Sequence, residues 1–176
     1  MPRQTATIDA SCFIALIHLQ LLEKLSILFE IVYVPKAVRQ EVSRRGGPRR
    51  QMNSALGRLA LYQKCDVADP ARVTLLLIEH RKPSSRPKKD LGEAEAVIQA
   101  TEIAATMVLM DDLLGRSWAV GHSLDRHGLI WILRKLRQFG GIDELKPYIR
   151  KLRSMKYRLP SDEVRSLLHE FDEEAD

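Results

Sequence analysis

Residues 5 to 35 read TATIDASCFIALIHLQLLEKLSILFEIVYVP. The stretch opens on a short run with β-branched residues, TATID, and closes on IVYV, residues 31–34, a clear strand that Pro35 stops. Between them Phe13, Ile14, Ile17, Leu21, Leu22, Leu25 and Leu28 recur at helical spacing, which predicts a helix over Cys12 to Leu28. Strand, helix and strand in close succession predict parallel pairing with a right-handed crossover.

The rest of the chain keeps the alternation. Pro35 suits the first turn of a second helix, for which Ala37, Val38 and Val42 give a buried stripe. RRGGPRRQ, residues 44–51, reads as an exposed basic loop. A helix follows over Met52 to Gln63, then a short third strand at Cys65 to Val67 and a helix from about Ala71 to His80. RKPSSRPKK, residues 81–89, is a second basic loop. Asp90 and Glu93 have the spacing of a capping box, starting a helix that runs to about Ala105. Met107 to Met110 is a compact apolar strand ended by Asp111 and Asp112. A helix carrying Arg116, Trp118 and Ala119 comes next, then a stretch without clear pattern from Gly121 to His127. Amphipathic helices over Leu129–Phe139, Asp143–Tyr157 and Ser161–Phe171 finish the chain. The pattern is that of a three-layer α/β/α protein with a central parallel sheet of four to five strands.

Composition narrows the classes. A chain of 176 residues, 45% hydrophobic and 29% charged, suits one globular core. No apolar run approaches the roughly 20 residues of a membrane span, and the N-terminus lacks a signal-peptide pattern, so a cytoplasmic protein is expected. Cys12 and Cys65 have no second ligand at zinc spacing, and the five histidines are scattered. Of the net charge of +5, residues 161–176 contribute −6, which leaves +11 on residues 1–160 and suits a polyanionic partner.

In a parallel sheet, chemistry collects beyond the carboxyl ends of the strands. Two predicted strands end there in acids: Asp9 after TATI, and Asp111 with Asp112 after MVLM. If those strands are neighbours, about 4.8 Å apart, their carboxylates come within reach of one ion.

Four fragments now resemble the PIN-domain nucleases, many of which are toxin ribonucleases of prokaryotic toxin-antitoxin pairs of the VapC type. Ile8-Asp9-Ala10-Ser11 with Phe13 to Leu16 is similar to the family's opening strand, first metal-binding Asp and following hydroxyl residue. Val34-Pro35 through Val38, Glu41 and Val42 resembles its P-x-x-V-x-x-E-V helix. Gly92-Glu93-Ala94-Glu95-Ala96-Val97-Ile98 resembles the G-E-x-E-A helix of one branch, and Val108 to Asp112 with Gly115 and Arg116 resembles the strand that ends in T-x-D. Met110 stands where a Thr or Ser is usual, and GHSLDRHG, residues 121–128, replaces a more regular final strand. The resemblance implies a nuclease-like domain over residues 1–128 and a helical C-terminal extension over 129–176 packed on it.

It also implies a metal-dependent ribonuclease with Asp9, Glu41, Glu95 and Asp112 as catalytic acids and ligands of Mg²⁺ or Mn²⁺, cations that acid clusters favour. Asp111 reads either as a further ligand or as a solvated turn residue. Glu93 reads as the capping partner of Asp90 or as a supporting acid, and Ser11 as an orienter of Asp9 or an N-cap. Helical periodicity does not separate Glu93 from Glu95, so Glu95 rests on the resemblance alone. Arg44, Arg45, Arg49, Arg50, Arg81, Lys82, Arg86, Lys88, Lys89 and Arg116 are the expected RNA contacts. The implied partners are RNA, a cognate antitoxin protein and a second copy of the chain. The competing class is a non-catalytic RNA- or protein-binding module on the same fold. The C-terminal helices are expected to carry no metal ligand, and a chain ending at Pro160 is expected to fold.

Overall fold

The computed structural model describes residues 4–44, 46–79 and 90–173. Five parallel strands form one sheet: β1 (Thr5–Ile8), β2 (Ile31–Val34), β3 (Tyr62–Lys64), β4 (Met107–Leu109) and β5 (Asp125–His127). Their order across the sheet is β3-β2-β1-β4-β5. Thr5 pairs with Ile31 on one side, and Ile8 with Leu109 on the other. The chain therefore winds outward from β1 in one direction and then, starting at β4, in the other. The switch point falls between β1 and β4, where an open parallel sheet leaves a crevice.

Nine α-helices appear among the described residues: α1 (Ala10–Leu19), α2 (Lys36–Ser43), α3 (Gly46–Arg58), α4 (Pro70–Glu79), α5 (Leu91–Glu102), α6 (Leu113–Gly121), α7 (Leu129–Gln138), α8 (Lys146–Ser154) and α9 (Ser161–Glu170). Side-chain alternation along the strands splits the core in two. Ala6, Ile8, Met107 and Leu109 join a cluster with α1, α3, α7, α8 and α9. Val108 and Met110 turn the other way, into a cluster with α4, α5 and α6. On that second face the buried Thr7 hydroxyl donates to the Ala96 carbonyl at 2.9 Å, tying β1 to α5.

Several elements depart from the sequence reading. The first helix stops at Leu19, because Gln20 takes a left-handed conformation (φ 60°) and its N–H bonds back to Ile17 and Leu16. A 3₁₀ helix over Glu23–Ile27 then carries Leu25 into the core that a straight helix would have left behind. The third strand is Tyr62–Lys64, not Cys65–Val67; it lies at the sheet edge, where only Tyr62 is buried. The basic stretch after Arg44 is not a loop but the first turns of α3, where Pro48 sits among the N–H groups a helix start leaves unbonded anyway. Arg49 and Arg50 lie exposed on α3, and Arg44 is exposed at the end of α2. Arg45 and the second basic loop, with Arg81, Lys82, Arg86, Lys88 and Lys89, lie outside the described residues. Asp90 gives no side-chain cap to α5, so the expected capping box is not formed. The patternless stretch 121–127 ends in a true fifth strand, Asp125–His127, polar because it is the other sheet edge.

The last three helices share the core of the first. Leu129, Ile132, Leu133 and Leu136 of α7, Ile149 and Leu152 of α8, and Val164, Leu167 and Leu168 of α9 are buried with Phe13, Leu16 and Leu25. The helix expected from Asp143 begins only at Lys146, with Pro147 in its first turn. Its Leu145 and Lys146 N–H groups donate to the Glu173 carboxylate at 2.9–3.0 Å. The acidic end of the chain thus caps α8, and Arg134 binds Glu170 at 2.9 Å. No helix among the described residues is long and apolar enough to cross a membrane.

Candidate functional site

The acids that end β1 and β4 are placed by their strands and held by the helices that follow. Asp9, fully buried, is the N-cap of α1. Its Oδ1 accepts from the Cys12 N–H at 2.7 Å and its Oδ2 from the Ser11 hydroxyl at 2.8 Å. Asp9 N–H donates to Leu109 O at 3.0 Å, which locks the residue to the end of β4. Burial nevertheless outweighs these hydrogen bonds and pushes the Asp9 carboxyl up to about 7, with the Asp111 charge adding to the rise.

Across the switch point Asp112 is exposed and caps α6, accepting from Leu114 N–H at 2.8 Å and Gly115 N–H at 3.3 Å. Asp111 turns to a different helix. Both its oxygens accept from Leu129 N–H at 3.2 Å, supplying the cap of α7 that Gly128 lacks. A Cβ on Gly128 would stand 1.9 Å from Asp111 Oδ1, so only glycine permits this arrangement. Arg116 lies 3.6 Å from Asp111, and the buried Cys12 thiol donates to its other oxygen at 3.4 Å. Burial pushes the Asp111 carboxyl and the Cys12 thiol up.

The two glutamates of α5 divide in a way the sequence leaves open. Glu95, the third acid in the family-based reading, accepts from Ala37 N–H at 2.7 Å. It thereby caps α2, whose own N-cap, Pro35, offers no side-chain acceptor. Burial pushes the Glu93 carboxyl up to about 8, and Asp9, Glu41 and Asp112 raise it further by like charge. Its Oε2 is sealed from solvent without a hydrogen-bond partner. Glu41, half-buried on α2, has an oxygen 3.7 Å from the point a Cβ on Gly92 would occupy, at the start of α5. A Cβ on Gly115 would stand 3.0 Å from Met110 Sδ and 3.3 Å from Glu93 Cβ, so that glycine lets α6 close on the acids. The buried Met110 fills the place of the expected hydroxyl residue and gives no polar atom toward them.

Ser11, Glu93, Asp111 and Asp112 line a cavity of about 610 Å³. Arg126 and His127 of β5, Trp131 and Arg134 of α7, Tyr157 and Arg158 between α8 and α9, and Glu163 of α9 also line it. The Tyr157 hydroxyl donates to the Ser11 carbonyl at 2.9 Å, and His127 stacks on Trp131 at 4.1 Å with 12° between the planes. Nothing in the local pattern marks Arg126 and His127, because a polar edge strand has no hydrophobic period. A second cavity, of about 570 Å³ and bordered by Ile17, Leu22 and Leu59, touches none of the acids.

Among the described residues no three His, Cys, Asp or Glu side chains stand ready as a closed set of metal ligands. The donor chemistry still fits a hard cation. Mg²⁺ keeps several waters and needs only one or two carboxylates directly, and the unpartnered Glu93 oxygen beside three other acids is a group such a cation satisfies.

The fold and the site define a class: a parallel α/β domain with carboxylates gathered at its switch point. The chain belongs to the PIN-domain family: the family model DUF3368, described as a PIN domain, matches residues 5–173. PIN domains are generally nucleases and usually use divalent metals, so the protein has a nuclease fold that implies a nucleic-acid substrate. No curated protein matches the chain.

Proposed function

We propose that this protein is a metal-dependent endoribonuclease that hydrolyses RNA phosphodiester bonds, with Asp9, Glu41, Glu93 and Asp112 holding Mg²⁺ or Mn²⁺. The observation that carries the reading is the buried, unpartnered Glu93 Oε2 among three further acids. A divalent cation, when bound, supplies a nucleophilic water near neutral pH and shields charge on the phosphate. The chain's own part is to hold the oxygens in place. Ser11 and Cys12 fix Asp9, the first turn of α6 fixes Asp112, and Glu95 fixes the start of α2, the helix that carries Glu41. In this reading Glu95 is a positioning residue and Glu93 takes the ligand role first given to it. Asp111, committed to Leu129 and Arg116, flanks the set.

Within the same reading the protein is the toxin of a prokaryotic toxin-antitoxin pair, a homodimer acting in the cytoplasm and held by a cognate antitoxin. Arg44, Arg49 and Arg50, exposed on α2 and α3, and Arg116 in the cavity are the described basic residues proposed to meet RNA. The test is cleavage of a fluorophore-quencher RNA by the purified protein. Activity should vanish in EDTA, return with Mg²⁺ or Mn²⁺, and be absent in Glu93→Gln. Cleavage that persists in EDTA refutes the metal mechanism. RNA binding without cleavage under every metal favours the non-catalytic module.

A further inference from the structure

The cavity that Glu93, Asp111 and Asp112 line is also lined by four arginines, from α6, β5, α7 and the connection between α8 and α9, and by one further acid, Glu163 of α9. Two of its cations are matched within the chain: Arg116 lies 3.6 Å from Asp111 and Arg134 2.9 Å from Glu170. Arg126 and Arg158 have no carboxylate partner among the described residues. Arg126 is half-buried on β5, and its Nε, like that of Arg134, is shut from solvent without a hydrogen bond, but Arg134 has the Glu170 carboxylate 2.9 Å away and Arg126 has none among the described residues. Arg158 is exposed and follows Tyr157, whose hydroxyl binds the carbonyl of Ser11, the residue that holds Asp9.

A guanidinium N–H removed from water without an acceptor is costly, and the cost disappears when an anion completes it. The planar fork of Arg suits a phosphate, which it can meet with two parallel bonds. Any strand delivered to the acids needs such cations close by, because the carboxylates repel its phosphates. The flat His127–Trp131 pair lines the same cavity and offers ring surface to an unstacked base, which suits a single strand better than a duplex.

We propose that Arg126 and Arg158 grip phosphates of a single-stranded RNA next to the bond presented to the acids, so that β5 and the C-terminal helices form the substrate-holding half of the cleft. The inference rests on the ribonuclease reading above and adds the residues that bind its substrate.

The experiment is fluorescence anisotropy of a labelled oligouridine with full-length protein over a range of salt concentrations, Ca²⁺ replacing Mg²⁺. Arg126→Gln and Arg158→Gln should each weaken binding about tenfold, and each should lower the log-log salt slope by about 0.7. Arg134→Gln, in the same cavity but already bound to Glu170, should leave the slope unchanged. Because Arg126 is half-buried, Arg126→Lys is the milder companion and should keep the slope while losing affinity. Arg158 is exposed, so its replacement leaves the core intact and tests the inference even if position 126 tolerates no change. Wild-type binding and cleavage with an unchanged slope in both Gln variants overturns this inference and spares the ribonuclease reading. Wild-type protein that binds no RNA overturns both.

Discussion

Replacing Asp9 by Asn should stabilise the metal-free protein at pH 8 and cost it the response to Mg²⁺. Asp9 is fully buried, and its carboxyl rises from 3.8 to about 7 on folding. A raised acid binds its proton more tightly folded than unfolded, so the native state binds more protons than the unfolded chain between those values. Stability therefore falls as pH rises from about 4 to 7 and levels off above. At 1.36 kcal/mol per pH unit, the loss is on the order of 4 kcal/mol. Asn has the shape of the neutral carboxyl, caps α1 as well as Asp does, and carries no charge to lose. At about 2–4 °C per kcal/mol for a chain of this size, the variant should melt roughly 8–16 °C higher than wild type at pH 8 in EDTA. The two should converge near pH 4. Saturating Mg²⁺ should raise the wild-type melting temperature and leave the variant's almost unchanged. The assay is differential scanning fluorimetry across pH 4–9, in EDTA and in Mg²⁺. Wild type and variant melting in parallel across that range would refute the argument that burial, not hydrogen bonding, governs Asp9.

The two glutamates of α5 should separate by assay: Glu93→Gln should lose at least a hundredfold in RNA cleavage, whereas Glu95→Gln should keep cleavage at saturating Mg²⁺ and lose about 1 kcal/mol of stability with the α2 cap. Equal activity losses in both would return Glu95 to the ligand set. Gly128→Ala should lower stability by about 1–3 kcal/mol in chemical denaturation, because the added carbon displaces Asp111 from the start of α7; an unchanged midpoint would mean that Asp111 moves freely. A chain ending at Pro160 should be recovered unfolded or aggregated, against the expectation from sequence. Removing Val164, Leu167 and Leu168 forfeits about 2 kcal/mol of burial each, a sum comparable with the whole stability of a domain; a cooperative thermal transition in the truncated chain would overturn this.

How far the sequence could be read depended on whether a residue's partner was local. β1, β2 and β4 were legible because they are central strands whose residues are β-branched or apolar, as TATI, IVYV and MVL are. The edge strands β3 and β5 were displaced or left in doubt, since half of each faces solvent and nothing periodic remains. The placing of Asp9 and Asp112 beyond neighbouring strand ends was legible because a strand end fixes where a side chain emerges. Glu93 and Glu95 could not be told apart, because two residues on one helix turn flank the same stripe. What surrounds them is non-local: Ala37, 58 positions from Glu95, and three acids from other elements near Glu93. The basic half of the cavity was hidden for the same reason, with Ser11 and Tyr157 meeting across 146 positions.

The acids share a single device that joins fold to site. In a parallel sheet every strand delivers the chain to the N-terminus of the next helix, so helix starts gather at one edge, each with unbonded N–H groups and partial positive charge. Asp9 caps α1, Asp112 caps α6, Glu95 caps α2 and Asp111 caps α7. Four helix ends hold four carboxylates on this edge of the sheet with backbone N–H groups, and only Asp111 has an arginine, Arg116, beside it as well. Glu93 stands apart, since its Oε2 has no such donor. The fold therefore gives each cap its donors and leaves one oxygen of Glu93 with none, and that oxygen is where an added cation gains most.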